Sequence, residues 1–178
     1  QRVAAYYAQH GAEIATQGDA LVKVFGELLP PPAAAGLELS RAPLVQARES
    51  LQRDFDGRFG GFGDAPKFPH PFELDFCLRA HARTGDPEAL AIVTTTLDRM
   101  AEGGIHDHLR GGFCRYSVDA EWTIPHFEKM LYDNGPLLAL YAQMFQISGD
   151  ETFRTVARET ADWVLREMES MAAHPNSR

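Results

Sequence analysis

A chain of 178 residues can bury roughly 70% of the surface it exposes when unfolded, so it needs no disulfide staples to fold. Its 44% apolar and 24% charged content excludes wholesale disorder, and no apolar run approaches the roughly 18 residues of a membrane-spanning helix. Seventeen Lys and Arg against 25 Asp and Glu give a net charge of −8, which excludes a general binder of nucleic-acid backbones.

The chain enters a helical pattern directly from Gln1 and Arg2 and closes on the polar tail His174-Pro175-Asn176-Ser177-Arg178, so it reads as a piece of a longer protein. Residues 3–29 form an alanine-rich helix that Gly18-Asp19 should interrupt, with Asp19 as an N-cap. Pro30-Pro31-Pro32 opens a linker, which makes residues 1–36 a helical connector and 37–178 the main domain. Ser40 is placed to cap a helix over 42–54, with Leu44, Ala47, Leu51 and Phe55 on one face. Residues 56–71 hold four glycines and three prolines, too broken for regular structure.

A repeat follows. A helix over 72–83 ends at Thr84-Gly85-Asp86, and another over 137–147 ends at Ser148-Gly149-Asp150. Glycine suits the left-handed position after a helix, and aspartate caps the next one. The second helices also correspond, with Leu90, Val93, Leu97 and Met100 against Phe153, Val156, Thr160 and Trp163. One hairpin cannot bury its apolar face alone, so the repeat points to an α-solenoid or an α/α toroid. Between the copies, Phe113-Cys114-Arg115-Tyr116-Ser117-Val118 and Trp122-Thr123-Ile124 suggest a short β-hairpin. Pro125 to Asp133 should then enter a helix, which Pro136 kinks or restarts near Asn134.

Residues 60–70 and 104–134 concentrate glycine, histidine, aromatic and charged residues, the loop chemistry from which active sites are assembled on helical scaffolds. His126 is the candidate general base, with Glu128 to orient it. On a regular helix the two would stand about 160° apart, so they converge only if the helix starts after His126. Lys67 and Arg115 are candidate clamps for a polyhydroxylated or anionic ligand. Trp122 and Tyr116 would supply apolar walls, and Asp64 and Asp133 are carboxylates available to a hydrolase. Asp119 reads as a turn residue, and Cys77 as buried and inert. His106-Asp107-His108 lacks a third ligand at a recognised spacing, so no metal site is assigned. Two cysteines, Cys77 and Cys114, form no CxxC and suit a reducing compartment such as the cytoplasm.

The motifs Gly60-Gly61-Phe62-Gly63-Asp64-Ala65-Pro66-Lys67-Phe68-Pro69 and Pro125-His126-Phe127-Glu128-Lys129-Met130-Leu131-Tyr132-Asp133-Asn134 resemble the family of thioredoxin-domain-containing proteins that includes spermatogenesis-associated protein 20. That resemblance implies an all-α domain, a partial (α/α)6 toroid similar to N-acylglucosamine 2-epimerases and six-hairpin glycosidases, with the rest of the toroid and an N-terminal thioredoxin-like domain elsewhere in the protein. It implies a carbohydrate-active domain working by proton transfer on a small-molecule sugar, without cofactor. Glycoside hydrolysis by paired carboxylates and a non-catalytic helical binding module are the other readings. No nucleic-acid or membrane partner is expected, and a truncated toroid exposing apolar faces would self-associate.

Overall fold

The computed structural model describes residues 2–29 and 40–168. The chain divides into two units, Gln1–Ser40 and Arg41–Arg178. The Pro-rich linker expected at 30–36 lies outside the described residues. The first unit carries α1 (Arg2–Leu28), which buries no residue. Its backbone leaves helical geometry at His10 (φ −119°, ψ 16°) rather than at Gly18-Asp19. The His10 ring stacks on Tyr6 and hydrogen-bonds the Tyr6 carbonyl at 3.0 Å, which competes with the helical bond that carbonyl would accept. Gly18 stays helical, because one glycine costs only about 1 kcal/mol against alanine.

The second unit begins with α2 (Ala42–Asp54), whose cap position is Arg41 rather than Ser40, with a proline in the first turn. Two hairpins follow: α3 (Pro71–Thr84) with α4 (Pro87–Glu102), and α5 (Leu131–Ser148) with α6 (Glu151–Glu167). Their turns are copies of one design. Gly85 (φ 71°) and Gly149 (φ 70°) take the left-handed position and donate to the carbonyls of His81 and Phe145. Asp86 then accepts from the N–H groups of Glu88 and Ala89, and Asp150 accepts from that of Thr152. Every apolar position matched between the second helices is buried apart from half-buried Leu90. Tyr141 of α5 is buried and donates to the Leu97 carbonyl of α4 at 2.7 Å, tying the hairpins together. Pro136 neither kinks nor restarts α5. As the sixth residue it forfeits only the bond to the Tyr132 carbonyl, while the Met130 carbonyl anchors the start by accepting from the N–H groups of Asp133 and Asn134.

Each hairpin is preceded by a loop of the same construction, a repeat that the helical pattern does not reveal. Asp56 and Gly60-Gly61-Phe62 recur as Asp107 and Gly111-Gly112-Phe113. Each aspartate accepts two backbone N–H groups: Arg58 and Phe59 donate to Asp56, Leu109 and Arg110 to Asp107. All four glycines have φ between 70° and 79°. A lysine then closes each loop. Lys67 Nζ donates to Asp56 Oδ2 at 2.6 Å and to the Gly60 carbonyl at 2.9 Å. Lys129 Nζ donates to Asp107 Oδ2 and to the Gly111 carbonyl, each at 2.7 Å. A tryptophan roofs both clasps: Trp122 lies 5.5 Å from Lys67, and Trp163 lies 5.2 Å from Lys129. A Cβ on Gly61 would stand 2.6 Å from Trp122, and one on Gly112 would stand 2.8 Å from Trp163. The clasps hold both carboxyls below their ordinary value, Asp107 down to about 2: burial opposes this, but the lysine and the backbone donors outweigh it.

The β-hairpin forms with a shifted second strand. β1 (Tyr116–Ser117) pairs antiparallel with β2 (Pro125–His126), Tyr116 opposite His126. Trp122 is pulled out of the strand: it takes φ 65°, is wholly buried, and donates from Nε1 to the Phe59 carbonyl at 2.8 Å. Asp119 turns the chain between the strands by accepting from the N–H groups of Glu121, Thr123 and Ile124. The two loops are joined directly, since Lys67 and Ser117 exchange backbone hydrogen bonds of 2.8 Å in both directions.

Removing one partner of a buried ion pair strands the other charge. Lys67→Met should therefore lower the unfolding free energy of the chain by about 3–5 kcal/mol in urea titrations. Lys129→Met should cost less, because that side chain keeps 14% exposure whereas Lys67 keeps none.

Candidate active site

The N-terminal ends of α3 and α5, which pack side by side, meet the joined loops around a hollow of about 260 Å³. Its lining includes Phe68, His70, Glu73, Arg115, Tyr132 and Asp133. Asp133, third residue of α5, is buried, and Arg115 Nη1 donates to both of its carboxylate oxygens at 2.8 Å. The Arg115 guanidinium lies over Phe68 at 5.1 Å and over Tyr132 at 5.0 Å, so two rings and a carboxylate fix its position. Burial raises the Asp133 carboxyl above its ordinary value, and the hydrogen bond and charge of Arg115 only partly offset that. Phe68 packs on Tyr116 at 4.9 Å, and Tyr116 stacks on His126 at 4.6 Å with the rings 16° from parallel. The result is a row of rings that ends in an exposed imidazole.

Of the residues expected at the site, Arg115 and Asp133 line the hollow, while Tyr116 and His126 lie outside its lining and join it through the ring contact of Tyr116 with Phe68. The helix starts at Leu131, past both His126 and Glu128, so the 160° separation of a regular helix does not apply to that pair. The Glu128 side chain is exposed, and its carbonyl accepts from the Arg115 N–H at 2.6 Å. Three residues are placed elsewhere. Lys67 is wholly buried and spends its ammonium on Asp56 and Gly60, so it cannot clamp a ligand. Trp122 is wholly buried over that lysine and is not part of the hollow's lining. Asp64 is exposed between Gly63 and Pro66, outside the lining of the hollow.

Sequence reading missed Phe68, His70, Glu73 and Tyr132. Glu73 and Asp133 are each the third residue of a hairpin's first helix, so aligning the repeats from their beginnings rather than their turns would have found Glu73 from the candidate Asp133. His70 is flanked by prolines, a context that reads as extended chain, yet it takes left-handed geometry (φ 47°, ψ 54°). Larger hollows of about 440, 460, 390 and 270 Å³ lie elsewhere, and of these residues only Glu73 lines one of them, that of 390 Å³.

The His106-Asp107-His108 run serves the second clasp. Asp107 belongs to Lys129, and buried His106 packs against Phe113 at 4.9 Å with Nε2 at 3.5 Å from a Glu159 carboxylate oxygen. Among the described residues, no group of three or more His, Cys, Asp or Glu could hold a metal ion. Nor is any helix among them long and apolar enough to cross a membrane. Both cysteines are buried, which raises their thiols, Cys77 to about 11.

No known family profile matches the chain. Over 142 residues it is 44% identical to spermatogenesis-associated protein 20 of Rattus norvegicus, covering 78% of this chain and 17% of that protein. The Mus musculus protein of that name is 46% identical over 124 residues, 67% of this chain and 16% of the relative. The chain thus spans about a sixth of the length of these relatives. Among solved structures it resembles a family 76 glycoside hydrolase from a bovine Bacteroides thetaiotaomicron strain (TM-score 0.60, 18% identity, 72% of this chain and 31% of that one). It also resembles cellobiose 2-epimerase from Spirochaeta thermophila (TM-score 0.55, 22% identity, 71% of this chain and 37% of that one). These likenesses decide the fold. The second unit is part of an (α/α)6 toroid with a short β-hairpin insert.

Burial pushes the His106 imidazole down to about 4, with His108 adding to the effect. The unfolded chain therefore binds more protons between pH 6.5 and 4, and the folded state loses stability as pH falls through that window. Urea titrations at pH 7, 5.5 and 4.5 should show this chain losing about 2 kcal/mol more than His106→Gln across those conditions.

Proposed function

We propose that the hollow binds a sugar and that the protein acts on it by proton transfer, as an epimerase or isomerase. The observation that carries this reading is the row Phe68, Tyr116 and His126 beside the Arg115–Asp133 pair. A sugar ring has one apolar face and a rim of hydroxyls, which suits aromatic faces next to a fixed, charged donor. Arg115 gives Nη1 to Asp133, which leaves its remaining N–H groups for substrate oxygens. In this reading Arg115 and Asp133 hold the substrate, Tyr116 forms the wall, His126 moves a proton and Glu128 orients a hydroxyl or the base. Likeness in fold to a solved cellobiose 2-epimerase is consistent with it. The rest of the toroid would complete the funnel in the full-length protein, and a thioredoxin-like domain would precede it.

Glycoside hydrolysis is the second reading, favoured by one observation: Asp133, with its raised carboxyl, shares the hollow with Glu73. The readings separate on the full-length protein incubated with reducing sugars and with glycosides. Proton transfer predicts sugar isomerisation, with kcat reduced about 10²–10⁴-fold in His126→Asn while circular dichroism is unchanged. Arg115→Met should chiefly raise KM. Release of new reducing ends, lost in Asp133→Asn, would replace the isomerase with a hydrolase. Inactivity across both panels would leave a helical binding module.

A further inference from the structure

We infer that the hollow between the end of α4 and the first half of α6 binds an aliphatic diamine, with one ammonium seated between Glu159 and His106 and the other at Glu151. The inference is independent of the sugar reading, since this hollow and the one holding Arg115 share no lining residue. It encloses about 460 Å³, and its lining carries the carboxylates of Glu102, Glu151 and Glu159 but no lysine or arginine, in a chain of net charge −8. Acidic surface alone is common, and His106 is what sets this hollow apart. Its side chain is only 2% exposed, and neither ring nitrogen makes a hydrogen bond among the described residues, which is rare for buried polar atoms. Burial and His108 outweigh the nearby Ala101 carbonyl and keep the imidazole neutral at pH 7. Nε2 lies 3.5 Å from Glu159 Oε2, and a neutral ring forms no ion pair with that carboxylate. The ring packs at 4.9 Å against both Phe113 and His108, and His108 is itself bonded through Nε2 to the Gly103 carbonyl at 2.9 Å.

A primary ammonium suits this arrangement, because it brings a positive charge and three donors. The Glu159 side chain is 45% exposed, with its carboxylate standing at the ring nitrogen. Turning outward, it admits an ammonium that donates one N–H to the carboxylate and another to the imidazole lone pair. Among the described residues no group of three or more ligating side chains could hold a metal ion, so an organic cation is the better fit. Glu151, Thr155 and Glu159 follow one another at intervals of four on α6, so they share a face. The two glutamates stand about 12 Å apart along the helix axis, which one ligand with an ammonium at each end can span. Ala101 and Val156, both buried, give the floor on which its methylenes would lie. Glu151 and Glu102 are each paired at 3.2 Å with an arginine of their own helix, Arg154 and Arg99, in exposed pairs that contribute little and yield to a ligand cation.

The test is equilibrium dialysis of the full-length protein at pH 7 and fixed ionic strength against hexamethylenediamine, hexylamine and hexamethonium. The diamine should bind about tenfold more tightly than hexylamine, which fills one end only. Hexamethonium carries both charges and no N–H donor, and should bind at least about tenfold more weakly than the diamine. Glu159→Gln and His106→Phe should each weaken the diamine about tenfold or more with circular dichroism unchanged. Glu151→Gln should bring the diamine down to the level of hexylamine while leaving hexylamine within about twofold. Should His106→Phe fail to fold, the exposed Glu159→Gln decides. Hexamethonium binding as tightly as the diamine would reduce the hollow to an unspecific acidic patch. Diamine binding undiminished in Glu159→Gln would place the ligand elsewhere, and a wild-type protein without saturable diamine binding would leave no site. Each of these three results overturns the inference, and the sugar reading stands through all of them.

Discussion

Two lysine ammonium groups organise this fold. Lys67 and Lys129 each neutralise an aspartate that is already tied to its own loop backbone, and each also takes a glycine carbonyl under a tryptophan roof. A loop with consecutive left-handed glycines has few internal ways to stay in one shape, since glycine loses the most conformational freedom on ordering. A charge-assisted bond inside a low-dielectric pocket supplies what the loop lacks, and a buried pair tolerates no missing partner. Once closed, each loop sits at the head of its hairpin, and the backbone bonds between Lys67 and Ser117 join the two.

The site follows from that junction. Closing the first clasp sets Phe68 just beyond Lys67, where it meets Tyr116 on β1 and the guanidinium of Arg115. The second hairpin presents Asp133 from its first turn to the same guanidinium. Side chains from two loops and two helix starts thus converge on one hollow without any of them belonging to the hydrophobic core. The cation is held by a carboxylate and two rings, which fixes its position more firmly than that of a free surface arginine.

The helical hairpins were legible because their turns are written in local chemistry. Glycine at the left-handed position and aspartate at the next cap act over four residues, and both copies do so in the structure. The convergence of residues 60–70 with 104–134 was also legible, through the shared density of glycine, aromatic and charged residues. Burial was not. Lys67 and Trp122 looked like ligand-facing residues by type, yet they are wholly enclosed, because their partners Asp56, Gly60 and Phe59 come from separate stretches of chain. The break in α1 was misplaced for a related reason: His10 bonds its own helix carbonyl, a competition that glycine counting does not detect.

By itself the sequence determined the hairpin repeat, its turns and the two loops where chemistry concentrates, since propensity, capping and periodicity act between near neighbours. Only the tertiary structure decided which charges are spent inside the fold and which remain at a cavity. Arg115 and Lys67 carry the same charge in similar surroundings of sequence. The carboxylate reaching Lys67 encloses it, while the one reaching Arg115 comes from a helix end beside open space, and that depends on how distant segments pack.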